Sequence, residues 1–212
     1  MRNEAFQNMK FYAYKMRHDY GFAPNPFGNI CTLATCKPKI RRNAEIGDWI
    51  FGTGSKMMGL KYHLIYLMQV SNKITFQQYW DDPIYEIKKP VKNGSLVRLH
   101  GDNIYHDNGQ GTIVQCESLH SNDDGTPNNA HLKRDTKGKY VLISNNFYYF
   151  GEKNFLLPDN FLSVCSHVRD TIVVKDKELA CEFIDWVKKN FKLGINGFPI
   201  NWIEYRQLKM SI

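Results

Sequence analysis

The chain has no long hydrophobic run. Nothing in its 212 residues approaches the roughly 18 consecutive apolar residues of a membrane-spanning helix, so no membrane partner is expected. The opening MRNEAFQNMKFYAYKM has neither a continuous apolar core nor a small-residue cleavage site, which excludes a secretory signal and leaves a cytoplasmic protein as the expectation. CxxC pairs are absent. The five cysteines, Cys31, Cys36, Cys116, Cys165 and Cys181, are an odd set in a signal-less chain, so reduced thiols are expected rather than a disulfide framework. Repeats and low-complexity linkers are missing too, and the length suits one domain over 1–212. A phosphate loop of the G-x-x-x-x-G-K-[ST] kind is not found: GDWIFGTGSK has the glycines and Lys56 but the wrong spacing.

Short hydrophobic segments are present instead. The stretches 10–16, 31–36, 48–52, 61–70, 139–144 and 147–151 read as strands, with 61–70 the longest and the best central strand. Residues 21–29 hold Gly21, Pro24, Pro26 and Gly28 and must be irregular. Thr75 and Gln78 make a capping-box pattern, predicting a short helix over 75–82 that Pro83 closes. A polar insertion over about 92–138 is interrupted by TIVQC. Over 176–191, Leu179, Ala180, Phe183, Ile184, Val187 and Phe191 form one stripe, with Lys188 and Lys189 in the last turn. A last helical turn or strand is expected at 201–208. Mixed order with more strands than helices predicts an α+β fold: a mixed or antiparallel sheet with a C-terminal packing helix.

The formal charge of +7 attracts polyanions, since Lys and Arg neutralise phosphates whatever the base sequence. Lys37, Lys39, Arg41 and Arg42 crowd into 37–42. Arg17, His18 and Asp19 follow the first strand, and alternation there puts Arg17 and Asp19 on one face and His18 on the other. A carboxylate beside such cations can bind a phosphate edge and orient a proton acceptor; a plain ion pair at a strand end is the competing reading. Cys36 next to Lys37 is the best nucleophile candidate, because cations favour a thiolate. Against that, TLATC looks like core, and an inert buried thiol is the expectation. His100, Asp102, His106, Asp107, His120, Asp123 and Asp124 are residue types that bind zinc, iron or manganese. They repeat no ligand spacing on a helix, so a solvated loop is expected and no metal site is assigned. Tyr12, Tyr14, Trp49, Tyr62, Tyr79, Trp80, Tyr148 and Tyr149 could stack bases, although aromatics on strands are more often core.

The run RHDYGFAPNPFGNICTLATCKPKIRRNAEIGDWIFGTGSK resembles the nucleotide modification associated domain family, of the second type. YW at 79–80, GDNIYH at 101–106 and VLISNNFYYFG at 141–151 fit the same pattern. The resemblance implies a role in hypermodification of DNA bases in phages and bacterial mobile or defence loci, beside other base-modification enzymes as partners. It carries over no catalytic roles and leaves the cofactor open. Its matching positions include Asp19, Asn25, Cys36, Lys37, Arg41 and Gly101 to Asn103. A distant likeness to small barrels of the PUA and EVE kind, where a GD turn precedes a strand, adds a small barrel as an expected form. Residue chemistry and resemblance together make Asp19, His18 and Asp102 the candidate acid–base groups. Arg17, Asn25, Lys37, Arg41, Arg42, Lys56 and Asn103 form the candidate set for binding phosphate, nucleotide or DNA. Three functions stay open: a base-modifying enzyme, a non-catalytic reader of modified bases, and a structural or partner-binding protein.

Overall fold

The computed structural model describes residues 8–165, 171–203 and 205. The fold is α+β, as expected, with mixed and antiparallel sheets. No closed barrel forms among the described residues, because the largest sheet ends at two different edge strands, Ile172–Val173 and Gly194–Ile195. The chain divides into two compact units, one from 1–19, 44–71 and 144–212 and the other from 20–43 and 72–143. No helix among the described residues is long and apolar enough to cross a membrane.

The first unit is built on strand Phe11–Met16, which pairs in parallel with Trp49–Gly54 from Phe11 opposite Trp49 to Met16 opposite Gly54. Strand His63–Gln69 pairs antiparallel with Trp49–Gly54 on one side and Asn146–Tyr149 on the other, so the longest apolar run is central. The glycines of GTGSK serve packing here. A Cβ on Gly52 would lie 2.1 Å from the Tyr66 ring, and one on Gly54 would lie 2.4 Å from the Leu60 carbonyl oxygen. Asp48 closes the GD turn by accepting from the Lys10 and Glu45 amides.

Helix Lys177–Asn190 covers this sheet. Asp176 caps it by accepting from the Leu179 amide, and Ala180, Phe183, Ile184 and Val187 are its buried face. Phe183 meets Phe51 edge-on at 5.5 Å, inside a core that includes Phe11, Trp49 and Phe161. Burying one such side chain is worth roughly 1.5–3 kcal/mol. Of the expected last element, Ile200–Trp202 is a 3-10 turn, while 204 and 206–208 lie outside the described residues.

The second unit carries a sheet in the order Cys31–Leu33, Tyr140–Ser144, Asn72–Thr75. The capping box at Thr75 and Gln78 is formed and starts helix Phe76–Asp81. The polar insertion is more ordered than its composition suggests. It holds the hairpin Tyr105–Asp107 with Ile113–Gln115 and the helix Asn129–Thr136, capped by Asn128. Two of its acids are turn formers: Asp107 accepts from the Gly109 and Gly111 amides, and Asp124 from the Thr126 amide. Short-range bonding of this kind explains its Asn, Asp and Gly content.

Candidate active site

Strand Cys31–Leu33 ends just before a sharp turn into helix Pro38–Asn43, and Cys36 sits on that turn. Cys36 has φ 55 and Lys37 φ 38, two successive non-glycine residues in the left-handed region. Such a residue costs on the order of 1–3 kcal/mol and persists only where its surroundings enforce it. Arg41 supplies the enforcement. Its Nε donates to the Cys36 carbonyl at 2.8 Å, Nη1 to the Tyr140 carbonyl at 2.8 Å, and Nη2 to the Asp135 carbonyl. Gly138 leaves the space: a Cβ there would lie 2.5 Å from the guanidinium. Burial lowers Arg41 to about 10, with Asp135 opposing, so it stays a cation at neutral pH.

The turn presents the half-buried Cys36 to His120. Sγ lies 3.6 Å from His120 Nε2, and the other ring nitrogen, Nδ1, lies 2.9 Å from Asp135 Oδ2. Asp135 is fully buried and also accepts from Tyr105 Oη at 2.9 Å and Arg134 Nε at 3.0 Å. Phe22 and His131 pack their rings against the imidazole at 4.7 and 4.3 Å. Gln115 holds its backbone by donating to the His120 carbonyl. The result is one chain of contacts: thiol, imidazole, carboxylate.

Electrostatics follow from these contacts. Burial disfavours a charged His120, but hydrogen bonds to Asp135 and Cys36 and their negative charge outweigh it and raise the imidazole to about 9. Burial likewise opposes ionisation of Asp135, and the hydrogen bonds and positive charge of His120 and Arg134 hold it well below the usual carboxylate range. His131 is lowered by burial and by its charged neighbour His120. An imidazolium therefore stands between sulfur and carboxylate near neutral pH. Burial pushes the Cys165 thiol up to about 12 and raises Cys116 and Cys181.

Among the described residues, Cys36, His120 and Asp135 are also the one group of three metal-ligating side chains whose ligand atoms lie within 4.8 Å of one another. Their orientation suits an ion poorly. An imidazole gives one nitrogen to one metal, and here its two nitrogens address different partners. Asp135 already meets Tyr105, Arg134 and His120. A proton relay uses both nitrogens, as this arrangement does.

Cys36, Arg41 and His120 meet here, but the acid–base candidates from sequence fall elsewhere. Asp19 is buried in the first unit, accepting from Tyr149 Oη and the Ile200 amide, and so ties the Ile200–Trp202 turn to the end of the first strand. Arg17 and His18 are exposed beyond that strand, so strand alternation does not govern them. Asp102 is fully buried in the second unit. Thr32 Oγ1 donates to it at 2.7 Å and Tyr79 Oη at 2.8 Å, which occupies both oxygens.

Asn25 and Asn103 are buried as well. The GFAPNPF loop bends around Lys88, whose Nζ donates to Asn25 O, Asn25 Oδ1 and Ile30 O at 2.8 to 3.0 Å. Burial lowers Lys88 to about 8 against the pull of Asp102 and Cys31. Asn103 Nδ2 donates to the Tyr79 carbonyl. Arg41 belongs to the core and not to a binding rim, as its carbonyl partners show. Arg42 and Lys56 are exposed and Lys37 is partly so.

Tyr12, Tyr14, Trp49, Tyr79, Tyr148 and Tyr149 are core. Trp80 is stacked with His106 at 4.0 Å and has Lys89 4.3 Å from its ring centre. A hollow of about 420 Å³ bounded by Asn72, Ile74, Gln78, Asp81, Asp82 and Tyr85 shares no residue with the Cys36 group and contains no cysteine. Asp135 is the member that sequence reasoning missed, and His120 was named there only as a metal-binding residue type. The one local signal was Cys36 itself, on a strand-to-helix turn beside a lysine.

A family model for nucleotide modification associated domain 2 matches residues 8–206, and the chain belongs to that family. No curated protein and no solved structure matches it.

Proposed function

Taking membership of the nucleotide modification associated domain 2 family as the premise, we propose that this chain is an enzyme that handles a nucleotide or DNA base and uses the Cys36 thiolate as its nucleophile. The observation that carries this reading is the Cys36–His120–Asp135 chain of contacts, with a half-buried cysteine and a fully buried carboxylate. His120 holds or takes the thiol proton, Asp135 fixes the ring, and Arg41 positions the turn. Helix Pro38–Asn43 packs against helix Asn129–Thr136, so the exposed cations Lys39, Arg42, Lys133 and Arg134 come from the two segments that carry Cys36 and Asp135. They provide the anionic-substrate side of the site.

Iodoacetamide followed by peptide mapping tests the reactive thiol. Cys36 is expected to be alkylated well ahead of Cys116, Cys165 and Cys181, and C36S is expected to lose the change in nucleoside profile that the wild type causes in cellular DNA. Uniform alkylation of the cysteines would overturn the reading. So would a stoichiometric zinc ion that protects Cys36.

A further inference from the structure

The reading above leaves the reaction class open, and the geometry narrows it. Cys36 Sγ and His120 Nε2 are 3.6 Å apart, so the imidazolium proton lies beside whatever atom is bonded to the carbon that sulfur attacks. At a carbonyl carbon that atom is the leaving group, and a proton there is required for an amine to depart. At an unsaturated ring carbon of a base, the neighbouring atom becomes the carbanion that the modification must use. A proton delivered there would quench it. The carboxylate supports the first case: Asp135 fixes a single ring orientation through Nδ1 and leaves Nε2 to shuttle a proton. Thr35, one residue before the nucleophile, is fully buried with a hydroxyl that has no hydrogen-bond partner, an unsatisfied group of the kind that needs an explanation.

We infer that the Cys36–His120–Asp135 site is an acyl-transfer centre whose substrate is a carboxamide or activated ester and whose covalent intermediate is a thioester on Cys36. This rests on the thiol-nucleophile reading above and adds the reaction to it. The Sγ lone pair forms a bond to the carbonyl carbon while the π pair moves to oxygen. That pair returns, the carbon–nitrogen bond breaks, and the imidazolium proton goes to the departing nitrogen, releasing an amine and leaving neutral imidazole. In the second half a water molecule, or an amino or hydroxyl group of the nucleotide, attacks the thioester. His120 takes the acceptor's proton and the thiolate leaves. No oxidant or reductant is consumed.

The full chain with p-nitrophenyl acetate tests this. The expected result is a burst of p-nitrophenolate, an acetyl group mapped to Cys36, and no burst in C36S. Acetyl-Cys36 should then turn over about 100-fold or more faster in the wild type than in H120Q, because deacylation needs the imidazole as base. If H120Q fails to melt cooperatively, the wild type's own pH profile serves. Turnover should rise with pH as the ring loses its proton, and a flat profile would overturn the inference. Selective alkylation of Cys36 without an acetyl-enzyme, or with turnover unaffected by H120Q, removes acyl transfer and leaves the thiol reading intact. Absence of selective alkylation removes both.

Discussion

At the residue scale, His120 and Asp135 make protein stability depend on pH in opposite directions. An unfolded histidine titrates near 6.5, whereas the folded His120 titrates at about 9. Between these values the folded state holds more protons than the unfolded one, so this contribution is complete below about pH 6.5 and fades as pH rises through about 9. The groups facing the ring are Cys36, Asp135 and His131, with Arg134 on the far side of the carboxylate. Urea midpoints should therefore fall across this window by the equivalent of up to a few kcal/mol, and H120Q should flatten the change. A wild-type profile without that slope would contradict the charged imidazole. Asp135 works the other way: its lowered pKa adds stability above the unfolded carboxylate value near 3.9, lost as pH falls further.

At the scale of elements, the site depends on how a strand, a helix and a second helix are tied together by one arginine. Arg41 satisfies carbonyls of Cys36, Tyr140 and Asp135, and it can do so because Gly138 has no side chain. G138A puts a methyl group 2.5 Å from a guanidinium already held on three sides. A loss of about 1–3 kcal/mol is expected from such overpacking, with slower alkylation of Cys36. Stability measured by urea and alkylation followed by mass spectrometry check the two effects separately. Lost stability with unchanged alkylation would show that Arg41 supports the fold without positioning the nucleophile. The helix Lys177–Asn190 is a simpler case, since its stripe of Ala180, Phe183, Ile184 and Val187 is pure core.

At the scale of the whole molecule, the net charge of +7 sets the response to salt. If DNA is the substrate of the proposed function, its binding should weaken steeply between roughly 50 and 200 mM salt, as released counterions return. Replacing one phosphate-contacting cation should reduce the salt slope by about one. R42Q is the variant of choice, because Arg42 is exposed while its neighbour Arg41 is core. Fluorescence anisotropy of a labelled duplex over a salt series measures both. Retention that ignores salt would point to a free nucleotide, not DNA, as the substrate.

The amino-acid sequence alone determined what depends on local spacing. The short apolar run of Phe11–Met16, the capping box at Thr75 and Gln78 and the apolar stripe of Lys177–Asn190 depend on near neighbours, so they can be read from order. The α+β class and the family pattern came from the same source. Tertiary structure alone brought Cys36, His120 and Asp135 together, because Cys36 lies 84 residues from His120 and His120 lies 15 residues from Asp135. It also separated Arg41 from Arg42, and showed that the carboxylates Asp19 and Asp102 are held by buried hydroxyl donors. The physical reason is that a residue's type states what bonds it can make. Burial and long-range partners state which of them it has made, and whether any reactivity is left for a substrate.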